Sequence, residues 1–143
     1  MRDLSKAYAL IRLFEGCVLH AYQDVVGVWT IGYGTTDGVR PGMVIDKETA
    51  ELMMEKDVQH RLSVIGDWIT APQVTDNEIS AILSLVYNIG LKAFHHSQLL
   101  YHLNSGDPKA EVAQHFMSWI HAGGRIIPGL VNRRKAEMAV FLS

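Results

Sequence analysis

FEGCVLHAYQDVVGVWTIGYG, residues 14 to 34, changes character in its middle. It opens as an apolar helix end and becomes a run of β-favouring residues punctuated by glycine. That pattern predicts a helix handing over to a small antiparallel hairpin. The same stretch carries Glu15, Asp24 and Thr30 at an E-x8-D-x5-T spacing. The fold class and the candidate chemistry therefore turn on the same few residues.

Upstream, Leu4 to Phe14 places Tyr8 and Ile11 at near-helical spacing and predicts a short amphipathic helix that stops near Gly16. Downstream, Tyr22 to about Val44 has glycines at 27, 32, 34, 38 and 42 between Val25, Val26, Val28, Trp29, Ile31 and Tyr33, which predicts a small sheet. Everything after it reads as helical. Asp46 caps a helix to about Leu62, and TDNE at Thr75–Glu78 is a capping box opening a helix to Gly90. Ser97 caps a shorter helix through Leu103, and Asp107–Pro108 starts the next. HAGGRIIPG reads as a loop, and Leu130 to Leu142 as the final helix. The expectation is an α+β chain dominated by α, in a single domain spanning residues 1–143.

The bulk properties fit that expectation. A chain of 143 residues, 48% hydrophobic and 20% charged, can bury a core without staples. Cys17 is the single cysteine, so no internal disulfide forms, and it is read as a small buried apolar side chain. No run approaches the ~18 apolar residues of a membrane span. MRDLSKAYALIRLFEG lacks the uninterrupted apolar core of a signal peptide, so the expectation is a soluble chain without an export signal. Net charge is −2, with seven Lys/Arg against twelve Asp/Glu in residues 1–91 and six against three thereafter. The C-terminal part is mildly basic and suits an anionic polymer. NRRKAE taken alone suits nucleic acid, but three adjacent positives in a slightly acidic chain are more often a helix surface. His95–His96 carries no metal-ligand spacing, and GYGTTDG lacks a phosphate-loop lysine; neither a metal nor a cofactor is expected.

Glu15 follows Phe14 at a helix end that must turn sharply, a setting that suits a partly buried carboxyl and favours its protonated form. Asp24 lies near the first strand of the hairpin, a more open setting that favours the ionised form. Thr30 follows on the neighbouring strand, where its hydroxyl can share a water with Asp24. One protonated acid and one ionised base across a cleft is the apparatus of glycosidic bond hydrolysis. Spacing alone does not bring the three groups together.

The stretch FEGCVLHAYQDVVGVWTIGYGTT resembles the active-site region of the phage-type lysozymes, the endolysins of glycoside hydrolase family 24. The resemblance continues through SLVYNIG, FHHSQLLYHLNSGD, WIHAGGRIIPGL and VNRRKAEMAVFL in the family's order and spans Leu10 to Leu142. It implies a lysozyme-like fold: a small lobe of about 15–60 holding the hairpin, and a helical lobe of about 61–143 that the first helix joins. It implies Glu15 as general acid, Asp24 and Thr30 as the residues positioning and activating water, and inversion at the anomeric carbon. It places Gly34, Thr36, Tyr87 and Ser97 along the substrate cleft and Arg133 beside the glutamate, with Arg134 the neighbouring candidate. For both arginines a solvated helix face is the competing reading; for Tyr87 and Trp119 it is core packing. Many family members have histidine after GYG where this chain has Thr35, a change expected to bear on local stability.

The resemblance further implies a monomeric muramidase acting on the β-1,4 bond between N-acetylmuramic acid and N-acetylglucosamine in bacterial peptidoglycan. It implies a phage or prophage role, with the protein held in the host cytoplasm until a holin-type pore gives access to the wall. A catalytically silent module that binds glycan or a protein partner is the alternative from another class. A helical nucleic-acid-binding domain, resting on the C-terminal basic cluster, is a third.

Overall fold

The computed structural model describes residues 1–143. Helix α1 spans Ser5–Glu15, β1 Val18–Gln23, β2 Trp29–Gly32, α2 Lys47–Trp68 and α3 Asp76–Ile89. Helices α4 (Leu91–His95), α5 (Gln98–Asn104) and α6 (Lys109–Gln114) follow, then a 3-10 turn at His115–Ser118. Strands β3 (His121–Ala122) and β4 (Arg125–Ile126) lead into α7, Pro128–Leu142.

The local signals explain most of these boundaries. Ala7, Leu10 and Ile11 form the buried stripe of α1, and Gly16, at φ +67°, ends the helix by taking a backbone conformation that L side chains rarely adopt. Asp46 caps α2 by accepting the Thr49 N–H at 2.8 Å. The Thr75 hydroxyl accepts the Glu78 N–H at 3.1 Å to open α3. Helix α2 continues to Trp68, past Leu62, because Leu62, Ile65 and Trp68 join the core and outweigh the helix-weakening Gly66. HAGGRIIPG is more than a loop: His121 pairs with Ile126 and Ala122 with Arg125 across a turn at Gly123–Gly124. Proline fits a first helical turn, so α7 starts at Pro128, ahead of Leu130.

The first hairpin pairs Tyr22 with Thr30 and Gln23 with Trp29, and its register shifts between Val18 and Tyr22. A third segment closes its other edge: the Ala21 N–H meets the Met43 carbonyl at 2.8 Å, and the Ile45 N–H meets that of Leu19 at 2.9 Å. This small sheet is antiparallel throughout, as its glycine-spaced sequence requires.

Helix α3 is the centre of the molecule. Every residue from Ile79 to Val86 is buried, as expected of a helix enclosed on all sides. Helices α1 and α7 pack along it, with α2 and α4 closing the remaining faces. Phe94, Leu99, Phe116 and Phe141 complete the same cluster.

One polar joint ties α1 to the sheet and to α2. Arg12 donates to both carboxylate oxygens of Glu51, from Nε at 2.8 Å and Nη2 at 2.9 Å. The Tyr33 hydroxyl donates to the same carboxylate at 2.9 Å. The Arg12 hydrogen bond, with help from Tyr33, holds the Glu51 carboxyl below its ordinary value of 4.5. Burial, then the Glu51 bond, pushes the Tyr33 phenol up to about 12. Because folding depresses the Glu51 carboxyl, its stabilisation is fully present above the unfolded value and disappears as pH falls through the lower folded one. Glu51→Gln is expected to cost about 1 kcal/mol at pH 7, scaled down for partial exposure. Urea unfolding should show the gap between variant and parent closing below pH 4.5, the carboxyl's ordinary value.

Candidate active site

Glu15 is the last residue of α1, so the turn at Gly16 leaves its side chain at the helix end, facing α7. There the Arg133 Nη1 donates to Glu15 Oε2 at 2.6 Å. The other carboxylate oxygen faces the exit of β2. A Cβ built on Gly34, which sits at φ +82°, would lie 3.0 Å from Glu15 Oε1. Any larger residue would be strained there and would push that oxygen aside. The Tyr87 hydroxyl, from α3, donates to the Tyr33 carbonyl and fixes the backbone just before Gly34. Burial, then the nearby Asp57 and Glu15 charges, pushes the Tyr87 phenol far above its ordinary range. Tyr87 therefore remains a neutral donor.

Arg133 and Arg134 do not form a solvated helix face. Arg133 is 4% exposed and Arg134 is fully buried. Arg133 donates from Nε to Glu137 Oε2 at 3.2 Å and from Nη2 to the Ser84 carbonyl at 3.0 Å, and its guanidinium carbon lies 5.7 Å from the centre of the Phe14 ring. Arg134 donates to the Trp119 carbonyl at 3.2 Å and to Glu137 Oε2 at 3.3 Å. Its Nε lies 2.7 Å from Glu137 Oε1, an ion-pair contact that is not aligned as a hydrogen bond. Ser84 donates its hydroxyl to Glu137 Oε2 at 2.6 Å. Burial pushes the Glu137 carboxyl up, while Arg134, Ser84 and Arg133 act against that rise.

Asp24 and Thr30 meet through one peptide. The Asp24 N–H donates to the Val28 carbonyl at 2.9 Å, and the Thr30 hydroxyl donates to the same carbonyl at 2.9 Å. Asp24 Oδ1 accepts the Val28 N–H at 2.8 Å and the Val26 N–H at 3.0 Å. The carboxylate thus shapes the hairpin turn with one oxygen, while Oδ2 makes no intramolecular bond. Thr30 is buried and uses its proton on Val28, which leaves its oxygen lone pairs free to accept.

The remaining expectations divide. Thr36 is exposed and lines a cavity of ≈ 510 Å³ with Asp37, Lys56, Asp57, His60 and Arg61. Thr35 is buried on the same wall, and its hydroxyl makes no well-formed hydrogen bond, so threonine leaves a polar loose end at that position. Ser97 accepts the Leu100 N–H at 3.0 Å, which leaves its hydroxyl proton free, and it lines a second cavity with His95, His96 and Tyr101. Trp119 packs partly buried against the core. Cys17 is exposed, not buried, because it follows Gly16 outside the packed stripe of α1. Glu137 and Ser84 escaped the sequence reading. The available signal was the Arg133–Glu137 and Arg134–Glu137 spacing, i,i+4 and i,i+3, which places all three on one helix face.

A model of the phage lysozyme family matches residues 12–137. The chain is 43% identical to the endolysin of Acyrthosiphon pisum secondary endosymbiont phage 1, covering 100% of this chain and 99% of that one. It is 35% identical to the endolysin of Salmonella phage P22, again over 100% and 99%. Among solved structures it is similar to the muramidase domain of SpmX from Asticaccaulis excentricus, with a TM-score of 0.91 at 30% identity, covering 100% and 99%. With a helical body around α3, a small antiparallel sheet beside Glu15 and these full-length likenesses, the chain belongs to the phage lysozyme family and is a glycoside hydrolase of the muramidase type.

Proposed function

We propose that the chain hydrolyses the β-1,4 bond between N-acetylmuramic acid and N-acetylglucosamine in bacterial peptidoglycan, with inversion at the anomeric carbon. Its cleft lies between a small lobe of about 15–60 and the helical remainder. The observation that carries the assignment is the divided Glu15 carboxyl. Oε2 is held by Arg133, and Oε1 is left beside a glycine, where a sugar oxygen can approach.

In this reading the Glu15 carboxyl delivers its proton to the glycosidic oxygen as the bond to the anomeric carbon breaks. A water held by the free oxygen of Asp24 and the lone pairs of Thr30 attacks that carbon from the opposite face. Asp24 takes the water's proton. General acid–base assistance of this kind is worth ~10²–10⁴-fold in rate. The shared Val28 anchor supports the pairing of Asp24 with Thr30, because the N–H of that residue holds the Asp24 carboxylate and its carbonyl holds the Thr30 hydroxyl. Gly34 keeps Oε1 accessible, Tyr87 fixes the backbone beside it, and Thr36 supplies an exposed hydroxyl on the adjoining cavity wall. Ser97, whose cap leaves its hydroxyl proton free, is a further donor to the substrate from the helical lobe.

The wall is reached in this proposal from the host cytoplasm through a holin-type pore. No helix of the structure is long and apolar enough to cross a membrane. Cells expressing this chain should lose turbidity only after their inner membrane is permeabilised; lysis without that treatment removes the pore from the scheme.

On purified cell walls, Glu15→Gln is expected to lower the rate of reducing-sugar release by at least ~10²-fold, and Asp24→Asn by a comparable factor. Full activity in Glu15→Gln would remove Glu15 as the acid. Proton NMR of the first product should show the α-anomer, and a β-anomer would exclude water activation by Asp24 in a single displacement. Gly34→Ala adds a methyl that crowds Glu15 Oε1 and costs about 1–2 kcal/mol at positive φ. It should lower activity ~10-fold or more, a misplaced carboxyl being costly, with far-UV circular dichroism unchanged; an active, equally stable variant would contradict the close approach.

A further inference from the structure

Arg133 raises a difficulty for an acid at Glu15. A guanidinium 2.6 Å away grips one of the two oxygens through which that carboxyl could act. The structure also shows what limits that pull. Arg133 faces a second carboxylate, Glu137, which is fully buried and also faces Arg134. Along α7 and into the site the charges alternate: Arg134 positive, Glu137 negative, Arg133 positive, Glu15 negative.

Resting on the assignment of Glu15 as the acid, we propose that Glu137 is a positioning residue. By sharing Arg133, it sets how strongly the guanidinium holds the Glu15 carboxylate and therefore the pH range over which Glu15 keeps its proton. Glu137 acts only through Arg133 and does not touch substrate.

The surrounding groups support this division of charge. The Ser84 hydroxyl from α3 and both arginines of α7 converge on Glu137 Oε2 and act against the rise that burial imposes on its carboxyl. From α3 as well, the Tyr87 phenol stays neutral and contributes no charge to Glu15. The β2 exit presents only the Gly34 backbone there. Arg134 also feels the Glu15 charge, and Glu137 opposes it directly; Asp57 and Arg61 face Tyr87 from α2. Phe14 covers Arg133, so water does not screen the pair from that side. With four charges that sum to zero in a largely desolvated site, neutralising one changes the field on the others far more than it would at the surface.

The test is the pH dependence of wall hydrolysis at low substrate, where the rate follows kcat/KM and reports the free enzyme. Glu137→Gln keeps the side-chain shape and removes the charge. Arg133 then has only Glu15 to neutralise, the proton is lost earlier, and the alkaline limb of the profile should move about one unit towards acid. Glu137→Asp retains the charge and should keep the limb in place, even with reduced activity.

If Glu137→Gln fails to fold, the double variant Arg134→Met and Glu137→Gln removes a buried ion pair without changing net charge. Its limb should move in the same direction by a smaller amount. Activity reduced by a constant factor at every pH, with the limb unmoved in the variants that fold, overturns the proposal and leaves Glu137 a purely structural anchor. An acidward shift in Glu137→Asp equal to that in Glu137→Gln overturns it too. If Glu15→Gln is inactive while these limbs do not move, this inference alone fails; if Glu15→Gln is active, the acid assignment fails first.

Discussion

The site depends on the burial of a guanidinium. Taking Arg133 out of water costs several kcal/mol unless its donors find acceptors. They find one on α1, Glu15; one on α3, the Ser84 carbonyl; and one on α7 itself, Glu137. A side chain that must satisfy three helices at once fixes their relative positions more sharply than apolar packing alone, which tolerates small slides. The end of α1 is thereby placed, and with it the carboxyl proposed as the acid.

The other half of the site obeys a different constraint. Asp24 spends one oxygen on the turn that makes the hairpin possible and leaves the other without an intramolecular bond. A carboxylate that accepts two backbone N–H groups gives the turn its shape, so the geometry needed for chemistry and that needed for folding are not separable at Asp24. Glu15 contrasts with it: its backbone only ends a helix, and its position comes from distant partners. This difference explains why the sequence places both residues on their elements but does not show what holds the Glu15 side chain.

The order of elements was legible because its signals are local. The Thr75 box, the Asp46 cap and the glycines between β-favouring residues each act within a few residues, and each was found where expected. The end of α2 was misjudged because tertiary burial of Ile65 and Trp68 carried the helix beyond its local pattern. The two-residue strands β3 and β4 are too short to show a period. Cys17 was assigned to the interior from the habits of its residue type, yet Gly16 turns the chain out of the α1 stripe before it. Glu15, Asp24 and Thr30 stand out in the sequence as the proposed chemical set, while their anchors do not: a Val28 carbonyl has no sequence signature.

The buried charges are the most instructive case. VNRRKAE looks like a solvated helix surface because each residue was weighed against its immediate neighbours. The decisive clue lies on α3, in a run enclosed on all sides, where an unpaired hydroxyl is costly. Ser84 in that run requires a buried polar partner, and Tyr87, one turn on, shares its helix face. Two arginines and a glutamate on one face of the last helix can provide such a partner, and the one positive charge left over is met by Glu15. Neither segment identifies the network alone. Considered together, a buried serine in the central helix and an Arg-Arg-x-x-Glu segment are two halves of one joint, and that joint ends at Glu15, which balances its charge.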